Sequence, residues 1–276
     1  MTIKMIVSDM DRTFLNDRGS YNRDKFITIL DQLDKRNIRF VVASNNKMDR
    51  LNLIFKGLID RMPFVGENGS HIVEMGKTLK RHQLDKKDVA LFLDYFKDKL
   101  DTYAVIVSGK YNSYMHKHAI PPKAFAIEPE QFSQFFSKIK VIDDFSTIAQ
   151  EDILKISMML PSEKYQAIMD DFNANFKGNL RAVTSGFGAV DIIETGIDKA
   201  WGLSILIDQY GVRADQLMAF GDGGNDIEML ELAKYSYAMD NAPENVKKAA
   251  NFLAPHHSED GVLQVLESFL AESDYE

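Results

Sequence analysis

Short apolar runs of strand length alternate with stretches of helical periodicity at both ends of this chain, and that alternation constrains its fold most tightly. Residues 4–8 (KMIVS) are apolar and β-branched. Residues 21–37 then place Phe26, Ile27, Leu30 and Leu33 on one helical face, with Asn22 positioned to cap it. Residues 38–44 (IRFVVAS) read as a second buried strand, and 48–58 return to helical spacing. MPFVGENGSHIVE reads as two strands around a hairpin turn at Asn68-Gly69. Strand, helix, strand, helix, strand predicts a parallel sheet covered by helices.

The rhythm changes from about Leu84. A helix over 86–99 is followed by extended stretches at 102–108 and through Tyr114. A strand over 153–160, a helix over 162–176 and the extended stretches NLRAVTS and AVDIIE come next. Strands that adjoin without helical crossovers predict antiparallel pairing. The alternation resumes with a helix from Lys199, a buried strand over 216–221, strand-like YSYAM, a helix starting near Pro243 and a C-terminal helix over 260–271. The predicted fold is α/β, a Rossmann-like parallel-sheet core over 1–84 and 187–276 carrying an inserted α+β cap over 85–186.

Composition narrows the chemistry. The 276 residues are 45% hydrophobic, enough to build a sizeable core. A formal charge of −8 argues against nucleic acid or an anionic membrane as the main partner. With no cysteine there is no disulfide, thiolate nucleophile or thiolate-held metal. Charge interrupts the N-terminus before a signal-peptide core forms, and no apolar run approaches the about 20 residues that cross a bilayer. A cytoplasmic protein, monomeric or weakly self-associating, is the expectation.

Four segments carry residues suited to chemistry. Asp9-Met10-Asp11-Arg12-Thr13 follows the first strand, where ligands of open parallel sheets collect. Asp9 there can attack phosphorus and bind Mg²⁺, and Asp11 can move protons; the same pair can equally close a turn. Ala43-Ser44-Asn45-Asn46 ends the next strand and offers either a phosphate cradle or a helix cap. Lys199 opens a helix, either neutralising a phosphoryl group or standing in solvent. Gly221-Asp222-Gly223-Gly224-Asn225-Asp226 combines tight backbone with hard oxygen donors of the kind Mg²⁺ prefers, or is a Gly-rich turn before a helix.

Taken together and in this order, the segments resemble the four motifs of the haloacid dehalogenase-like phosphohydrolases: Asp-x-Asp-x-Thr, Ser/Thr, Lys and Gly-Asp-x-x-Asn-Asp. The resemblance spans nearly the whole chain. An insert between the second and third motifs, with VVASxN, ENG, VTSGFG and GDxGNDxEML, is similar to the Cof-type branch and its bacterial sugar phosphatases. The resemblance implies Asp9 as nucleophile forming an aspartyl phosphate and Asp11 as general acid/base whose main-chain carbonyl also binds Mg²⁺. It implies Asp222 and Asp226 as further metal residues, Asn225 as a substrate contact, Ser44 and Asn45 as phosphoryl contacts, and Lys199 as charge balance. The implied function is Mg²⁺-dependent hydrolysis of small phosphorylated metabolites such as sugar phosphates. A phosphotransferase or mutase using the same intermediate, or a catalytically weakened phosphate-binding protein, are the alternatives.

Two positions depart from the pattern, Arg12 and Asn45, where the family often has Gly. Asn tolerates positive φ, so Asn45 is expected to keep the loop shape. For Arg12, either the backbone has negative φ or the site is reshaped, and its side chain is expected to point toward solvent or the core's own surface. The insert is expected to act as a lid, with Tyr111, Tyr114, His116 and His118 as contact candidates. His256 and His257 lie in a late loop and raise a minor zinc reading.

Overall fold

A computed structural model of the chain describes residues 2–119, 139–161, 163–184 and 189–273. The chain divides into two compact units, Met1–Arg81 with Ile197–Glu276, and His82–Gly196.

The first unit is built on an eight-stranded sheet. In chain order it opens with β1 (Met5–Ser8), α1 (Arg23–Lys35), β2 (Arg39–Ala43), α2 (Met48–Ile54), β3 (Phe64–Gly66), β4 (His71–Glu74) and β5 (Lys77–Arg81). Strands β1, β2 and β3 pair in parallel, as the alternation predicts. Asn22 caps α1 by accepting the Lys25 N–H, and Phe26, Ile29, Leu30 and Leu33 are buried. β4 returns antiparallel to β3, and β5 pairs antiparallel to β4 at the sheet edge. β5 (KTLKR) escapes a reading by alternation because both its faces are exposed; its charge suits an edge.

The second unit holds α3 (Lys86–Tyr95), β6 (Ile106–Gly109), β7 (Ser113–His116), β8 (Ile139–Ile142), β9 (Ile153–Met159), α4 (Tyr165–Asn175), β10 (Leu180–Thr184) and β11 (Ala189–Glu194). Its described strands form one sheet in the order β10-β11-β9-β6-β7-β8, antiparallel except for the β7–β8 pair. Helices α3 and α4 pack on one face through Phe92, Phe96, Met169 and Phe172. The predicted core boundary at 187 falls too early, because β11 is a central strand of this sheet and the first unit resumes only at Ile197. Residues 185–188 of the VTSGFG segment lie outside the described residues.

The first unit then adds α5 (Lys199–Tyr210), β12 (Leu217–Gly221), α6 (Ile227–Leu232), β13 (Tyr235–Met239), α7 (Glu244–Ala249), β14 (Phe252–Ala254) and α8 (Gly261–Ser273). Its sheet order is β14-β13-β12-β1-β2-β3-β4-β5. β1 therefore sits where the chain turns from building one half of the sheet to building the other, and ligands of such sheets bind at that switch. Alternate residues of β1 face opposite layers. Ile6 joins a core with Phe26, Phe40 and Leu266, while Met5 and Val7 join one with Leu203, Leu206 and Met229. Burial on both faces leaves the strand ends as the place for polar side chains.

Candidate active site

The carboxyl ends of β1, β2 and β12 converge at this switch, and α5 begins beside them. Asp9 follows β1, Ser44 follows β2, Asp222 follows β12, and Lys199 is the first residue of α5. All four are buried.

Lys199 ties the site together. Its Nζ donates to Asp9 Oδ1 at 2.5 Å and to Asp226 Oδ1 at 2.7 Å, with about 1% of its side chain exposed. Burial alone would lower the lysine pKa, but Asp226 and Asp9 outweigh it and hold the ammonium above its ordinary value. Asp9, Asp222 and Asp226 bring carboxylate oxygens within 4.8 Å of one another. Burial pushes the Asp9 carboxyl well above the usual range, Lys199 opposes it, and Asp226 and Asp222 add to the rise. Asp222 is pushed up to about 7 by burial and by Asp226, against the pull of Thr13, Arg12 and Lys199. Three buried carboxylates against one lysine leave negative charge uncompensated. A hard divalent cation held by oxygen donors would relieve it, so the residues present fit Mg²⁺.

The remaining contacts hold this cluster in place. Asp226 Oδ2 accepts the N–H groups of Asp222 at 3.0 Å and Gly223 at 2.9 Å. Thr13 Oγ1 donates to Asp222 Oδ1 at 2.8 Å, and Asn241 Nδ2 donates to Asp222 Oδ2 at 3.3 Å and to the Arg12 carbonyl at 2.9 Å. Ser44 Oγ accepts from the Asn46 N–H at 3.1 Å and from Asn46 Nδ2 at 2.9 Å. Asn225 Nδ2 donates to Asn68 Oδ1 at 2.8 Å.

The Asp11 carboxylate is not part of the three-carboxylate group. It accepts from Asn46 Nδ2 at 2.6 Å and pairs with Arg50 Nη2 at 2.8 Å. Sequence reasoning passed over Arg50 and Asn241, and it read Asn68 as a hairpin-turn residue of the ENG segment without a role in the site. Asn241 carried a readable signal, since it is a polar residue just past the end of β13 and so on the same sheet edge as Asp222. Arg50 lies inside a helical stretch and carried none.

Two sequence expectations are corrected. Arg12 has φ of 64°, so its backbone is left-handed, and a non-glycine residue there costs about 1–2 kcal/mol. The hydrogen bond from Asn241 to its carbonyl helps hold that conformation. Its side chain is exposed, as expected, yet its charge still lowers the Asp222 pKa. Asn45 does not have positive φ, so it is not the residue that shapes the loop by left-handed backbone.

The other candidates have local partners. His257 is buried with Nδ1 on the Leu15 carbonyl at 2.8 Å, and among the described residues the Asp9, Asp222 and Asp226 group is the potential metal cluster. Tyr114 bonds Glu151, His116 bonds Asp101 and the Asp143 carbonyl, and Tyr111 is 80% exposed.

Comparison with known proteins decides the family. Residues 6–266 match the family model for haloacid dehalogenase-like hydrolases. The chain belongs to the haloacid dehalogenase-like hydrolases. Its branch is the Cof-type one that the motif order implies, and it is an enzyme of the phosphatase class. It is 33% identical to the 5-amino-6-(5-phospho-D-ribitylamino)uracil phosphatase YbjI of Escherichia coli over 98% of this chain and 97% of that one. The crystal structure of SMU.1108c from Streptococcus mutans is similar, with a TM-score of 0.88, 38% identity, and coverage of 98% of this chain and 100% of that one. The subclass IIB sugar phosphatase BT4131 shares the fold at a TM-score of 0.78 and 19% identity, covering 96% and 98% of the two chains.

Proposed function

We propose that this hydrolase is a Mg²⁺-dependent phosphatase of small phosphorylated metabolites, sugar phosphates foremost, acting through an aspartyl-phosphate intermediate. The observation that carries the reading is Asp9 buried at the end of β1 with Lys199 on its Oδ1 and two further carboxylates alongside. With Oδ1 held by the lysine, Oδ2 is the oxygen that attacks phosphorus. The new O–P bond forms as the bond to the leaving oxygen breaks, and Asp11 gives that oxygen a proton. Asp11 then takes a proton from water, which attacks the phosphoryl group and releases Asp9. Lys199 and Ser44 balance and bind the equatorial oxygens through transfer, where positioning and charge compensation do most of the catalysis.

Asp9, Asp222, Asp226 and the Asp11 carbonyl are the groups that would hold Mg²⁺. The ion would supply the positive charge that keeps the buried carboxylates ionised and polarises the transferring phosphoryl group.

YbjI is named for a phosphorylated ribityl compound, and sugar phosphates share its phosphate ester on a hydroxylated carbon chain. That shared chemistry defines the substrate class proposed here. Residues 82–196 are proposed to serve as the cap that selects among such substrates, and the cytoplasm is the proposed location. Among the described residues no helix is long and apolar enough to cross a membrane. Phosphate release from a panel of sugar and polyol phosphates, with and without Mg²⁺, tests the reading. Asp9→Asn should abolish it. Equal rates for Asp9→Asn and wild type, or no release from any substrate, would overturn it.

A further inference from the structure

The segment Glu67-Asn68-Gly69 is a stretch of unusual backbone that touches several site segments at once. All three residues have left-handed φ, at 53°, 55° and 99°, and all three are buried. The two non-glycine residues each forgo about 1–2 kcal/mol by adopting it. The turn therefore needs holding, and it holds much in return. The Glu67 N–H donates to the Asn46 carbonyl and the Asn68 N–H to the Ser44 carbonyl, both at 3.1 Å. Asn68 Oδ1 accepts from Asn225. Gly69 packs so closely on the start of α5 that a Cβ there would lie 1.8 Å from the Asp198 carbonyl oxygen and 2.9 Å from the Lys199 nitrogen. One turn thus meets the loop of Ser44, the helix of Lys199 and the loop of Asn225.

The anchor is the Glu67 side chain, which is about 1% exposed. Its Oε1 accepts from Arg81 Nη2 at 3.2 Å and lies 3.6 Å from His71 Nδ1, while His71 Nε2 shares a hydrogen bond with Thr78 Oγ1 at 2.9 Å. This network is an uneconomical way to gain stability. Among the described residues, Glu67 Oε2, His71 Nδ1 and Arg81 Nε are buried with no protein group in hydrogen-bond range. A packed apolar side chain of similar volume would stabilise the turn at least as well as a half-satisfied buried ion pair. What the charge network adds is direction, because it fixes one orientation of a strained turn from β4 and β5.

We infer that Glu67, through its buried pairing with Arg81 and His71, is a positioning residue that sets the register of Ser44, Lys199 and Asn225 for phosphoryl transfer. The inference rests on the phosphatase reading for the word transfer, but its geometry is independent of substrate. Small misplacement of transition-state contacts costs on the order of 10–100-fold in rate.

The test uses Glu67→Gln and Arg81→Gln in the full chain, with turnover of an aryl phosphate and amide hydrogen exchange measured in parallel. Glu67→Gln should lower kcat by roughly 10–100-fold with KM within about threefold, since the displaced groups act on the transition state. The Glu67 and Asn68 amides should exchange at least about tenfold faster while those of α1 are unchanged. Arg81→Gln should shift both readouts the same way by less, and it decides the matter if Glu67→Gln does not fold. Unchanged kcat per folded molecule, or faster exchange spread evenly over the first unit, would reduce Glu67 to a packing residue and overturn the inference. If wild type releases no phosphate, the phosphatase reading falls, and the exchange data still decide whether Glu67 holds the turn.

Discussion

Asp222→Asn should make the metal-free protein more stable at pH 8 and slightly less stable at pH 4. Asp222 is buried, and burial with the Asp226 charge lifts its pKa from the ordinary value near 4 to about 7. A carboxyl whose folded pKa is raised contributes stability that is fully present below the unfolded pKa and lost as pH rises through the folded one. The window is therefore about pH 4 to 7, and the loss across it is roughly 4 kcal/mol. Asparagine removes that loss but sets an amide against the Asn241 donor now bonded to Oδ2, forfeiting about 1 kcal/mol. The Thr13 bond to the other oxygen survives. The balance at pH 8 is roughly 3 kcal/mol in favour of the variant, or on the order of 6–12 °C in Tm for a chain of this size. At pH 4 the sign reverses, to about 1 kcal/mol against it. Thermal unfolding of both proteins in chelator from pH 4 to 8 reads this directly. Saturating Mg²⁺ should then raise the wild-type Tm at pH 8 and move the variant much less. A variant less stable than wild type at pH 8 in chelator, or a Tm difference that does not vary with pH, would refute the claim that this cluster is short of positive charge.

Other substitutions probe separate parts of the site. Lys199→Met leaves Asp9 and Asp226 buried without their cation and should cost about 3–5 kcal/mol at pH 8, less on acidification as the carboxylates protonate, by thermal unfolding. Arg12→Gly should keep Mg²⁺-dependent turnover within about tenfold, or roughly 1.4 kcal/mol in barrier. Gly69→Ala has no room beside the Asp198 carbonyl and should lose at least about 3 kcal/mol, seen as a lower denaturation midpoint.

Much of the core was legible because burial writes itself into sequence. Strands covered on both faces read as apolar runs, and amphipathic helices such as α1 show their buried stripe. What carries little hydrophobic signal was missed. The charged edge strand β5 and the start of the resumed core beyond β11 depend on pairing partners rather than on the residues themselves. Arg50 and Asn68 likewise gain meaning only through what folding sets beside them.

Asp9 and Arg12 divide the two kinds of knowledge. The order Asp9, Ser44, Lys199, Asp222 was set by sequence, and so was the place of Asp9, Ser44 and Asp222 past strand ends and of Lys199 at a helix start, since chain order and strand polarity follow from it. That Lys199 bridges Asp9 and Asp226 across 190 and 27 residues was decided by tertiary structure alone. So was the left-handed backbone of Arg12, and for the same reason: sequence can name a side chain, but the φ it must adopt and the charge it must answer come from neighbours that only the fold brings near.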